Sequence, residues 1–224
     1  MEKLLNYKTI IFDFDGTLAD TLIGILDTLN DVSKLLNLDI NFSYKDGKKL
    51  IGGGSKRLFL KAFNYEELNN KNIDIYNLFM DKYQKYQLSN FKLYKNVKEV
   101  LEFFNKNNIN LIIYSNKPDN ILKLCVEKSL GNINFVGVIG NTLKMPPKPD
   151  PSYLLNFLNE KNIDVSSCLY VGDSIYDLLL AKNMKIDCVI CNYGYGDYKE
   201  IKKENPTYEI DDFKLLERIV LKNI

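Results

Sequence analysis

Thr9-Ile10-Ile11-Phe12-Asp13-Phe14-Asp15-Gly16-Thr17 is the stretch whose reading decides the fold. A short apolar, β-branched run ends in two acids and a glycine, which reads as a buried strand followed by a sharp turn. Similar runs recur at 109–114, 135–139, 168–171 and 187–191. Between them lie helix-period stretches at 97–104, 121–130, 153–158 and 175–181. Strand alternating with helix implies right-handed crossovers and a parallel sheet covered on both faces, so the expected class is α/β.

One segment breaks the rhythm. From 21 to about 90 the patterns are helical, beginning with Leu22, Ile25, Leu26, Leu29, Val32, Leu35 and Leu36 on one face and Asp20 available as N-cap. Further helices are expected at 44–50, 55–63 and 66–88, with Gly52-Gly53-Gly54 interrupting them. The chain has 224 residues, about one and a half domains at about 150 residues each. The expected organisation is therefore a discontinuous core, 1–19 and 91–224, with an all-helical cap at 20–90 inserted after the first strand.

Composition excludes much chemistry. Lys and Arg number 30 against 29 Asp and Glu, a net charge of +1, so the chain carries no overall basic field for a nucleic-acid backbone. There are no histidines, which removes Ser-His-Asp and Cys-His catalysis and His-ligated zinc. A catalyst built here must use carboxylates, amines, hydroxyls or thiols. No segment approaches the roughly 18 to 20 apolar residues needed to span a bilayer, and none has signal-peptide character, so no membrane partner and a cytoplasmic location are expected. Nothing in the pattern specifies an oligomeric state. The four cysteines are Cys125, Cys168, Cys188 and Cys191. The last two lie within one apolar run, where alternation sends them to opposite faces of a strand, so they read as buried core thiols rather than a redox pair.

Four groups carry the candidate chemistry. The first is Asp13-Phe14-Asp15-Gly16-Thr17, which alone also suits a plain turn or a calcium loop. The second is Ser115-Asn116-Lys117-Pro118, a hydroxyl and an amide at the end of the next strand, with Pro118 able to open a helix. The third, Met145-Pro146-Pro147-Lys148-Pro149-Asp150-Pro151, holds four of the six prolines and places one lysine on a stiff loop before an Asp150 N-cap. The fourth is Gly172-Asp173-Ser174-Ile175-Tyr176-Asp177, where Asp177 falls one helical turn after Asp173, near enough to support Asp173 or Lys148. All four lie at the carboxyl ends of parallel strands, where ligands bind in open α/β sheets.

In this order, Asp13-Phe14-Asp15-Gly16-Thr17, Ser115, Lys148 and Gly172-Asp173 with Asp177 resemble the motifs of the haloacid dehalogenase-like superfamily. The resemblance covers the whole core and implies a Rossmann-like sheet. From Asp13 to Ser115 is 102 positions, against 33 from Ser115 to Lys148, so the cap falls between the first two motifs. The resemblance further implies Mg2+ held by Asp13, the backbone carbonyl of Asp15, and Asp173. It makes Asp13 the nucleophile, Asp15 the general acid and base, and Lys148 with Ser115, Asn116, Gly16 and Thr17 the phosphate contacts. Ser174 and Asp177 support this first layer.

Asp15 separates the chain from family members that dehalogenate, and leaves a phosphatase or a phosphomutase. The run Asp13 to Thr21, Leu50-Ile51-Gly52-Gly53-Gly54, Ser115-Asn116-Lys117 and Asn192-Tyr193-Gly194-Tyr195-Gly196 look most like phosphoglycolate phosphatase. The implied partner is a small phosphorylated metabolite. Gly53 and Gly54 would let backbone amides approach it, with Lys56 or Arg57 meeting a carboxylate, unless this stretch is a plain interhelical turn. The alternatives are a β-phosphoglucomutase-like mutase, a phosphatase for pyrophosphate, nucleotide or sugar phosphate, and an inactive binding module. The aromatic stripe Tyr76, Phe79, Met80, Tyr83 and Tyr86 reads as packing or a closing surface.

Overall fold

A computed structural model describes residues 7–142 and 144–221. The outermost residues of the expected core, 1–6 and 222–224, lie outside them. The core opens with β1 (Thr9–Phe12) and β2 (Ala19–Asp20). Four helices follow, α1 (Leu22–Leu35), α2 (Tyr44–Leu50), α3 (Gly54–Ala62) and α4 (Ile73–Ser89), and then β3 (Lys92–Leu93). The chain continues as α5 (Val97–Lys106), β4 (Asn110–Pro118), α6 (Asp119–Leu130), β5 (Gly137–Asn141) and α7 (Ser152–Glu160). It closes with β6 (Cys168–Gly172), α8 (Ile175–Met184), β7 (Asp187–Cys191), α9 (Tyr198–Lys203), β8 (Tyr208–Ile210) and α10 (Leu216–Val220).

Six strands form one sheet in the order β5-β4-β1-β6-β7-β8, every pair parallel. β1 is central: Phe12 pairs with Ile113 of β4 on one side and Val171 of β6 on the other. Both faces are buried, and alternation sorts their residues. Ile10, Phe12, Leu111, Ile113, Leu169 and Val171 face the cluster containing α5, α6 and α10. Ile11, Ile112, Tyr114, Cys168 and Tyr170 face the cluster built by α7, α8 and α9. Cys191 lies in the first cluster and Cys188 in the second, and all four thiols are free and buried. Burial pushes the Cys125 and Cys168 thiols up to about 11, which keeps them protonated. No helix among the described residues is long and apolar enough to cross a membrane.

The four-helix segment is tied to the core by the antiparallel pair β2 and β3. Two-residue strands carry too little pattern to be read from sequence, and these flank the helical run. Phe59 holds the cap together, with Phe63, Tyr65, Tyr76 and Phe79 at centroid distances of 5.2–5.5 Å. Each such aromatic pair contributes about 0.5–1.5 kcal/mol beyond area burial. The stripe on α4 is thus mainly packing, with Phe79 and Tyr83 fully inside.

Several local expectations shift. The helix expected from 66 begins at Ile73, because Asn72 accepts from Asn69 N and donates to Glu67 O, folding the preceding residues into a turn. Asp20 is not the N-cap of α1. Thr21 holds that position, and the Tyr195 hydroxyl accepts from Thr21 N at 2.7 Å and Leu22 N at 3.1 Å while donating to Asp20 at 2.7 Å. Asp20 Oδ1 also accepts from Leu22 N, at 3.3 Å, so a hydroxyl from 174 residues away shares the capping with the local acid. Asp150 likewise lies one residue before the N-cap Pro151 and accepts from Ser152 N.

Candidate functional site

Register in the sheet brings the carboxylates together. Asp13 follows β1 and donates its amide to Val171 O at 2.9 Å, while Asp173 follows the neighbouring β6. Ser115 stands in β4 on the other side of β1. Lys148 reaches the same point from the proline-rich loop. Its backbone N–H donates to Asn116 Oδ1 at 2.8 Å, so the loop is pinned to β4. The Lys148 ammonium lies 3.0 Å from Asp13 Oδ1 and 2.6 Å from Asp177 Oδ1, and donates to the Tyr170 hydroxyl at 3.2 Å.

Burial governs the electrostatics of this group. It raises the Asp13 carboxyl to about 6, opposed by Lys148 and reinforced by Asp177, with the Ser115 hydroxyl favouring the anion. Burial raises Asp173 further, and Asp177 and Asp13 add to it. Desolvation works against charge on Lys148, but Asp13 and Asp177 outweigh it and hold the ammonium above the ordinary lysine value. One buried cation thus faces three buried carboxylates, an arrangement short of positive charge.

Asp13, Asp173 and Asp177 each place a carboxylate oxygen within 4.8 Å of the others. Asp177 is already engaged on both oxygens: Oδ1 by Lys148, and Oδ2 by Ser174 N at 3.0 Å and Ser174 Oγ at 2.6 Å. Asp177 is also absent from the cavity lining, where Asp13 and Asp173 both stand, so it orients its neighbours and Asp13 and Asp173 are the donors. An all-oxygen, anionic, buried set with a cation deficit fits a hard divalent ion such as Mg2+. Asp173 is aimed by Tyr195 N at 2.7 Å and by the Thr17 hydroxyl at 3.3 Å.

Three of the expected phosphate contacts have partners within the protein. The Gly16 amide donates to Ala19 O at 2.9 Å, the Thr17 hydroxyl serves Asp173, and the Asn116 carboxamide holds the Lys148 loop. Gly16 acts by having no side chain: at φ +82° a β-carbon would lie 2.2 Å from Asp173 Oδ2. We expect Gly16→Ala to weaken divalent-cation binding at these acids about 10- to 100-fold by displacing that carboxylate. Titrating Mg2+ against the thermal midpoint checks this, and an unchanged Mg2+ response would contradict it.

These side chains line one wall of a cavity of about 550 Å³. The opposite wall comes from α2 and α3 and includes Lys45, Lys48, Lys49, Gly53, Gly54, Arg57 and Lys61. Arg57 lies over the Tyr176 ring at 5.2 Å. Lys56 is exposed and outside the lining, while Ser55 and Arg57 on either side of it in α3 belong to the lining. None of Lys45, Lys48, Lys49, Arg57 and Lys61 forms an ion pair among the described residues.

Sequence reasoning gave no role to Lys117, Gln87 or Tyr195. Lys117 is buried, with its Nζ 2.9 Å from Asp15 Oδ1 and hydrogen-bonded to Gln87 Oε1. It stood in the Ser115 motif, yet its partners lie 102 and 30 residues away, and no local pattern connects them.

Comparison with known proteins agrees with this geometry. Residues 10–191 match the model of the family described as haloacid dehalogenase-like hydrolase. A phosphoglycolate phosphatase of Psychrobacter arcticus is 29% identical over 225 residues, covering 97% of each chain. One from Agrobacterium fabrum is 30% identical over 211 residues, covering 92% of this chain and 89% of that one. The crystal structure of a predicted phosphoglycolate phosphatase from Haemophilus somnus superposes with a TM-score of 0.85 at 27% identity, covering 96% of this chain and 98% of that one. With the acids, the lysine and the hydroxyl gathered at the strand ends of a parallel sheet, and the match running from the first strand to the seventh, the chain belongs to the haloacid dehalogenase-like hydrolase family.

Proposed function

We propose that the protein is a Mg2+-dependent phosphatase that hydrolyses a small phosphate monoester, phosphoglycolate being favoured, through an aspartyl phosphate. The juxtaposition of Asp13, Asp173 and Lys148 below a cation-lined cap wall carries the reading. A phosphate monoester repels an anionic nucleophile, so its oxygens must be neutralised first. Asp13, the backbone carbonyl of Asp15, and Asp173 would hold the ion, which supplies positive charge at the phosphoryl oxygens.

The Asp13 carboxylate attacks phosphorus in line, and the bond from phosphorus to the leaving oxygen breaks as Asp15 gives that oxygen its proton. Lys148 and the Ser115 hydroxyl balance charge on the phosphoryl oxygens. Asp15, now ionised, takes a proton from water. The water oxygen bonds to phosphorus, the bond to Asp13 breaks, and inorganic phosphate leaves.

The cap wall supports a substrate with a second anionic group. Five cations of α2 and α3, Lys45, Lys48, Lys49, Arg57 and Lys61, line the cavity and no acid of these helices does, in a chain of net charge +1. The carboxylate of phosphoglycolate meets that requirement. The cavity of about 550 Å³ also accommodates a larger ester such as a sugar phosphate, which keeps that class in view.

Phosphate release from phosphoglycolate, sugar phosphates, nucleotides, pyridoxal phosphate and pyrophosphate, each with Mg2+ and with chelator, tests both levels. The expected result is activity with Mg2+ only and the highest kcat/KM for phosphoglycolate. A low rank for phosphoglycolate would overturn the substrate assignment, and full activity in chelator would overturn the metal.

A further inference from the structure

We infer that Lys117 is a positioning residue for Asp15, and that Gln87 on cap helix α4 sets where Lys117 stands, so the cap holds part of the acid-base machinery of the core. The inference rests on the reading of Asp15 as general acid and base given above.

Lys117 is the penultimate residue of strand β4, and its side chain is fully buried. Its ammonium bonds both oxygens of Asp15, at 2.9 and 3.3 Å, and the Oε1 of Gln87. It also lies over the rings of Tyr83 at 5.2 Å and Phe14 at 5.9 Å. Tyr83 and Gln87 are one turn apart on α4, and both are buried. Gln87 is itself fixed, since its amide donates to Thr21 O at 3.2 Å and its backbone carbonyl accepts from the Cys125 thiol at 3.5 Å.

A buried ammonium with no carboxylate would be costly, and desolvation does work against charge on Lys117. The Asp15 carboxylate at 2.9 Å supplies the opposite charge. The contribution of Lys117 is geometric. Asp15 stands beyond the end of β1 and directly before the turn at Gly16, and an aspartate side chain has several staggered rotamers to choose from. A two-oxygen contact to an anchored ammonium selects one of them. A displacement of about 1 Å in such a group costs about 100-fold in rate.

Asp15 enters the two chemical steps unequally when the leaving group is good. An activated aryl phosphate expels its phenolate without a proton, whereas hydrolysis of the aspartyl phosphate still needs Asp15 to take a proton from water. The two steps can therefore be separated in time by rapid mixing.

The test is stopped-flow turnover of 2,4-dinitrophenyl phosphate with Mg2+ by the wild type, Lys117→Met, Gln87→Met and Asp13→Asn, with thermal melts of each. For Lys117→Met the expected result is a burst of about one equivalent of phenolate at a rate within about threefold of wild type, then turnover slowed about 10- to 100-fold. Gln87→Met, which keeps the Lys117–Asp15 pair and removes its anchor, is expected to show the same pattern with a smaller loss. It remains decisive if Lys117→Met does not fold. An inert Asp13→Asn beside Lys117 and Gln87 variants that slow burst and turnover by one common factor, or slow neither, would overturn the proposal alone. Turnover retained by Asp13→Asn would overturn the aspartyl-phosphate reading, and the proposal with it.

Discussion

Asp13→Asn is expected to reduce Mg2+-dependent phosphate release by at least about 10⁴-fold while the protein stays folded, because removing the nucleophile of a covalent mechanism removes its first step. An amide is a poor nucleophile and a weak ligand for a hard cation, so both functions assigned to Asp13 fail together. The fold has no reason to fail. Lys148 keeps Asp177 at 2.6 Å and Tyr170 at 3.2 Å, and a carboxyl that burial pushes up to about 6 is already costly to ionise. The thermal midpoint in chelator should therefore equal or exceed that of the wild type. Residual activity within about tenfold of wild type would remove Asp13 from the role of nucleophile.

Lys148→Met should lose activity on a similar scale and, unlike Asp13→Asn, lose stability as well. The lysine is 3% exposed and is the only cation contacting Asp13 and Asp177 among the described residues. Breaking a buried pair by removing one partner costs about 3–5 kcal/mol, because the remaining charge is left without compensation. At about 2–4 °C per kcal/mol for a chain of this size, the midpoint should fall by about 6–20 °C, measurable by calorimetry in chelator. A second substitution discriminates the cause. If unpaired carboxylates are responsible, adding Asp177→Asn to Lys148→Met should recover part of the loss. If the lysine stem supplies the stability through packing, the methionine preserves it and the midpoint hardly moves.

Much of this site was legible in the chain. Asp13, Ser115, Lys148 and Asp173 each follow or end a strand-like run or a rigid loop, and a parallel sheet delivers all such ends to one edge. Asp177 was legible one helical turn beyond Asp173, and its contact with Lys148 has that origin. What the sequence leaves open is of a different kind. Either Lys56 or Arg57 could follow the glycines into the site, and helix α3 decides between them: Arg57, with Lys61, lines the cavity and Lys56 does not. Asp20 was the nearest capping residue to α1, yet Tyr195 arrives from the far end of the core and takes two amides. The bond from the Gly16 amide to Ala19 O, and the closeness of Gly16 to Asp173, also belong to the folded chain.

By itself, then, the sequence determined the α/β class, the helical interruption and the acids at the strand ends, because burial on two faces imposes a period of two and helices a period near 3.6, and both are written within a few residues. It also determined that any catalyst here works with carboxylates, amines, hydroxyls or thiols, since no histidine is present. Only the tertiary structure decided which amine meets which carboxylate: Lys117 with Asp15 across 102 positions, Lys148 with Asp13 across 135, and the Tyr195 amide with Asp173 across 22. A charge acts on its neighbour through space, with a strength set by distance and burial, and neither quantity is recorded in the order of residues along the chain.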